Sequence, residues 1–112
     1  MMHPDRVWVA IEPVDMRIGV DGLAIRVQET LKHIPCNGNA YAFRNRRTTR
    51  IKLLIWDGNG VWLCHRRLHH GSFTWPVDGD TECVLTAAQW QWLVNGVDWR
   101  RVDATAPAEL RV

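Results

Sequence analysis

"RNRRTTRIKLLIWDGNGVWLCHRR", residues 44–67, carries the clearest fold signal in the chain and its main functional question. Within it, "RIKLLIWD" (50–57) reads as a strand rich in aliphatic and aromatic residues. Asp57-Gly58-Asn59-Gly60 is a tight hairpin turn, because Asp-Gly and Asn-Gly supply the positive φ it needs. The return strand runs from Val61 to about Leu68. Alternation of side chains along paired strands then resolves two faces. Ile51, Leu53 and Ile55 share one with Trp62, Cys64 and Leu68, plus Arg66 as an exception, and this is the core face. Arg50, Lys52, Leu54 and Trp56 share the other with Leu63, His65, Arg67 and His69. That second face is apolar near the turn and basic at the far end, where Arg44, Arg46 and Arg47 arrive on the incoming connection. Both possible turn centres give the same faces, since they differ by two residues.

Charge is concentrated in this region. The chain of 112 residues has a formal net charge of +2, but residues 44–70 hold seven Lys/Arg and one acid, Asp57. The remaining seven basic and eleven acidic residues leave the rest of the chain negative. His65, His69 and His70 also lie in the basic block. Such clustering fits an anionic partner better than the small net charge does. A basic β-ribbon could lie along a nucleic-acid backbone, with DNA, RNA and an acidic protein all open at this point. The bland alternative is a solvated sheet face whose like charges discourage aggregation.

Outward from the hairpin, "VWVAI" (7–11) reads as a strand closed by Pro13. Asp15 is placed as the N-cap of a helix whose apolar face is Met16, Val20, Leu23, Val27 and Leu31, ending before Pro35. Gly19 and Gly22 within that stretch suggest close helix–sheet packing. "YAFRN" (41–45) is a strand, "FTWP" (73–76) a short strand or crossing segment, and "CVL" (83–85) an edge strand. The last helix is the best marked. Thr86 and Gln89 form a capping box, Leu85 and Trp90 a hydrophobic staple, and Asn95-Gly96 a stop.

These elements make an α+β domain over residues 1–102, with a frayed tail at 103–112. A mainly antiparallel sheet of four or five strands is packed by an N-terminal crossing helix and the capped C-terminal helix. With both helices on one face, the basic face stays partly open.

Little in the chain suggests catalysis. Cys64, His65, His69 and His70 match no zinc-site spacing, and neighbours on a strand point to opposite faces. Asp78, Asp80 and Glu82 read as a solvated acidic loop, and no carboxylate set suits a metal-dependent strand transfer. No catalytic residue, metal or cofactor is assigned. Arg17, set against local preference in a first helical turn, either completes an anion site with Asp15 and Asp21 nearby or pairs with one of those acids. Cys36, Cys64 and Cys83 are widely spaced and read as thiols of a reducing compartment. No run reaches the roughly 20 apolar residues of a membrane span, and the start lacks signal-peptide features, so a cytoplasmic location is expected.

Taken in order, "PVDMRIGVDGL" (13–23), "FRNRRTTRIKLLIWDGNGVWL" (43–63), "RRLHHGSFTWP" (66–76) and "LTAAQWQWLVNGVDWR" (85–100) carry a resemblance. Over about residues 7–100 the chain resembles the TnpB-type accessory proteins of insertion sequence family sixty-six, the product of the element's second open reading frame. His69-His70 departs from the acid–base pair expected there. The resemblance implies a bacterial transposition protein acting beside a separate DDE transposase, and supplies no catalytic residue; with no catalytic set among its residues, a non-enzymatic accessory role is expected. The expected surface for DNA is Arg44, Arg46, Arg47, Arg50, Lys52 and Arg67 with Trp56. The other reading is an adaptor that docks on the transposase without productive DNA contact.

Overall fold

In the computed structural model, residues 5–29, 32, 40–77 and 82–101 are described. Five strands form one sheet: β1 (Arg6–Ala10), β2 (Ala40–Arg44), β3 (Arg50–Trp56), β4 (Val61–Arg67) and β5 (Glu82–Thr86). Their order is β4-β3-β2-β1-β5. All neighbours are antiparallel except β1 and β2, whose parallel pairing requires the long connection that contains α1 (Val20–Glu29). The fold is therefore α+β with a mostly antiparallel sheet. The tail at 103–112 lies outside the described residues, as do Cys36, Asp78 and Asp80.

The hairpin has the register its alternation predicts, from Arg50 opposite Arg67 to Trp56 opposite Val61. Gly58 takes φ +94°, and the Asp57 amide donates to the Gly60 carbonyl, placing Gly58-Asn59 at the turn centre. Asp57 reinforces the turn by accepting from the Asn59 and Gly60 amides and from the Trp62 indole. These three bonds hold its pKa below the usual carboxylate value.

One expectation is corrected by the layering. The helices cover opposite faces of the sheet. On one side, Trp90 and Leu93 of α2 (Ala87–Val94) join Val7, Val9, Ile51, Leu53, Ile55, Phe73, Trp75 and Leu85. On the other, Leu23 and Val27 of α1 join Tyr41, Phe43, Leu54 and Trp56. The reason lies in composition: Tyr41, Phe43, Leu54 and Trp56 put too much apolar surface on the second face to leave it in water. Only edge strand β4 remains exposed along its length.

Helix α1 starts later than its sequence suggests. Asp15 opens a β-turn instead, with the Ile18 amide bonded to the Asp15 carbonyl, and Gly19 accepts the first helical bond from Leu23. A Cβ at Gly22 would lie 2.6 Å from Ile18 Cγ2 and one at Gly19 would have nothing within 4 Å, so Gly22 makes room for the preceding turn and neither glycine serves helix–sheet packing. Helix α2 carries the full capping box, Thr86 Oγ1 accepting from Gln89 N and Gln89 Oε1 from Thr86 N. Residues 73–76 form no strand. They cross the first core as a strap, with Phe73 N donating to Thr48 O and the Trp75 indole to Ala10 O.

Candidate functional site

The connection between β2 and β3 is a turn organised by Asn45. Its side-chain oxygen accepts from the Thr49 and Arg50 amides at 2.8 and 3.0 Å, and its amide nitrogen donates to Thr49 Oγ1. Thr48 adopts φ +57°, rare for a β-branched residue. It is held there by its amide bond to Asn45 O, by its carbonyl accepting from Phe73 N, and by its hydroxyl accepting from Arg44 Nη1. Arg46 and Arg47 stand exposed at the tip of this turn.

The segment after β1 is tied alongside by a 2.8 Å bond from Val14 N to Arg44 O. The two segments enclose a groove of about 530 Å³. Pro13, Val14, Asp15 and Met16 line one wall, and Asn45, Arg46, Arg47, Thr49 and Arg50 the other. Thus the two stretches singled out in the sequence, P-V-D-M-R and the arginine-rich connection, meet at one place. Asp15 was expected as part of an anion site with Arg17, whereas Asn45, Pro13, Val14 and Met16 were not among the expected site residues. An Asn heading "NRRTT" was the available signal, as Asn favours self-bonded turns.

Arg17 and Asp15 neutralise each other. The guanidinium meets both carboxylate oxygens, the shortest contact being 2.6 Å, and the Arg17 amide adds a bond to Asp15 Oδ1. Those bonds hold the Asp15 carboxyl at about 2. Asp21 sits in the first turn of α1 and is not among the groove-lining residues. With Asp15 occupied by Arg17, its carboxylate does not pair with the arginines of the opposite wall. None of Arg46, Arg47, Arg50 or Arg67 has a carboxylate partner among the described residues.

The seven residues expected to contact DNA divide into two groups. Arg46, Arg47 and Arg50 line the groove, and exposed Arg67 stands directly across from Arg50. The other three are engaged inside the fold. Lys52 is 8% exposed and donates from Nζ to Ile18 O at 2.7 Å. Trp56 is buried edge-to-face against Tyr41, with ring centroids 5.8 Å apart, so it offers no face for stacking on a base. Arg44 is half-buried, bonding Ile11 O and Thr48 Oγ1, and desolvation pushes its pKa down. Alternation alone could not reveal this, because it assigns a face without saying what covers it. Arg66 points to the opposite face and bonds Val94 O at the C-terminal end of α2, a favourable place for a cation.

Arg50 opposite Arg67 and Lys52 opposite His65 set like charges across the strands, an unfavourable arrangement. His65 reports it. Desolvation first, then Lys52, Arg50 and Arg67, hold its pKa below the ordinary 6.5. Because the fold prefers neutral His65, the unfolded chain binds more protons as pH falls through 6.5. Stability contributed by this group is complete above that value and declines below it. A proton NMR titration should place the His65 midpoint below 6.5; a midpoint at or above it would contradict the geometry.

Comparison with known proteins agrees with these motifs. The family model described as "IS66 Orf2 like protein" matches residues 5–104. The chain belongs to the IS66 Orf2-like family. Two relatives come from Sinorhizobium fredii and are both described as uncharacterized. Protein y4hO is 41% identical over 100 residues, covering 89% of this chain and 87% of its own. Protein y4jC is 36% identical over 97 residues, covering 87% and 83%. No solved structure matches. Membership in the IS66 Orf2-like family gives the chain an accessory role in insertion-sequence transposition. Among the described residues, no helix is long and apolar enough to cross a membrane, and no three His, Cys, Asp or Glu side chains gather as a metal site.

Proposed function

We propose that this IS66 Orf2-like protein serves transposition without catalysis of its own, by binding the DNA phosphate backbone through Arg46, Arg47, Arg50 and Arg67. One observation carries the reading: four arginines without carboxylate partners among the described residues converge at one end of the sheet, three of them on a single groove. A fold that sets Arg50 against Arg67 gains from an anion between them. Backbone anchoring also explains why the engaged Lys52 and Trp56 do not weaken the reading. Exposed Arg46, Arg47 and Arg67 with half-buried Arg50 suffice for phosphate contacts, which position a duplex without reading its bases.

The test is a salt titration of binding to element-end and random duplexes. Four phosphate contacts predict a log K against log salt slope of about −3.5, with similar affinity for the two duplexes. Phosphate beside His65 would offset its neighbours' charge, so DNA should also raise the His65 titration midpoint. Absence of salt-sensitive association with DNA would overturn the proposal. Co-purification with the transposase that survives nuclease treatment would then favour the adaptor role.

A further inference from the structure

Strand β4 is one of the two edges of the sheet, and its first half is apolar: Val61, Trp62 and Leu63 are 37, 48 and 38% exposed. Edge strands are ordinarily guarded by charge, as the second half is by His65, Arg66 and Arg67, but the first half has no such guard. The backbone groups available along this edge follow from the hairpin's ladder. At one end Asp57 N donates to Gly60 O, and at the other Leu68 N donates to Thr49 O. Hydrogen-bonded and non-bonded pairs alternate between these two points. Trp62, Cys64 and Arg66 therefore direct their backbone groups to β3, while Val61, Leu63, His65 and Arg67 direct theirs outward.

We infer that β4 pairs antiparallel with β4 of a second copy, about a two-fold axis passing beside Cys64. This register sets Val61 opposite Arg67 and Leu63 opposite His65 of the second copy, so the outward backbone groups all meet partners. It also sets Trp62 opposite Arg66 in a non-bonded pair, where side chains approach closely and a guanidinium can lie on the indole face. Each copy's apolar half thus meets the other's basic half, and no two basic residues of the strands stand opposite each other. Continued past the strand ends, the same register carries Asp57 of the turn toward the stretch holding His69 and His70 of the second copy. Centring the pair on His65 would instead set imidazole against imidazole and leave Val61 without a partner. The strand's grading, apolar to basic, makes it complementary to itself reversed, as an isologous interface requires. The result is a continuous ten-stranded sheet in which both copies turn the same face to the same side.

The inference does not depend on DNA binding, although a dimer of this form would present its two basic grooves on one side. The test uses the full chain. Sedimentation equilibrium should show a monomer–dimer transition, and mild oxidation with copper phenanthroline followed by peptide mapping should yield a Cys64–Cys64 disulfide. Leu63→Pro removes an outward amide and leaves the β3 ladder bonds of Trp62 and Cys64 in place, so it should be monomeric with an unchanged circular dichroism spectrum. Leu63→Lys, which leaves the backbone alone, should weaken association at least tenfold. A chain that is monomeric at every concentration would overturn the inference, as would a dimer indifferent to Leu63→Lys or one whose oxidised product joins other cysteines. Association of a monomeric chain with the transposase alone, abolished by Leu63→Lys, would assign the edge to that partner and also reject the second copy.

Discussion

Trp75→Ala is expected to destabilise the domain by about 3–5 kcal/mol. The indole is buried in the core shared by the sheet and α2, and its nitrogen donates to Ala10 O at 2.7 Å. Truncation leaves a large cavity and removes the donor that ties the strap to the end of β1. Domains of this size are stable by about 5–15 kcal/mol, so the variant sits near the unfolding threshold at ordinary temperature. Trp75→Phe separates the two contributions. It retains most of the ring but not the donor, and should cost about 1–3 kcal/mol. Urea denaturation of both variants gives the comparison. A cost below about 1 kcal/mol for Trp75→Ala would mean that the 73–76 strap does not close the core.

The second large effect concerns affinity. Arg46→Ala, Arg47→Ala and Arg50→Ala together should lower DNA affinity on the order of 10²-fold near 0.1 M salt and make the salt slope shallower by about 2.5–3. Fluorescence anisotropy with a labelled duplex measures both. Arg66→Ala serves as the control, because its side chain lies on the opposite face against the end of α2. It should leave the slope nearly unchanged. The triple variant should unfold at the same temperature or slightly higher, since it removes the repulsion between Arg50 and Arg67 and breaks no carboxylate pairing among the described residues. Unaltered affinity in the triple variant would dismiss the groove as the binding surface.

Local signals in the sequence locate most elements well. The hairpin register, its turn and the α2 capping box all follow from residues within a few positions of each other, and the structure reproduces them. The start of α1 lies beyond the point its local signal marks, for an equally local reason. Asp15 has the side chain of a helix cap, but here it bonds Arg17 and closes a turn, and short polar side chains support either outcome. The groove is half legible: charge finds its arginines, while its second wall depends on the Val14–Arg44 bond between segments 30 residues apart.

What the sequence determined by itself was where the five strands lie, though not whether residues 73–76 add another, together with the pairing of β3 with β4, the capped final helix and the clustering of positive charge. Periodicity and turn chemistry are short-range and survive without knowledge of the rest of the molecule. Only the tertiary structure decided that α1 covers the second face, that Lys52 and Trp56 lie beneath it, and that Arg46, Arg47, Arg50 and Arg67 remain outside. Burial is set by whichever distant segment packs on a face, and a strand's own alternation carries no information about that neighbour.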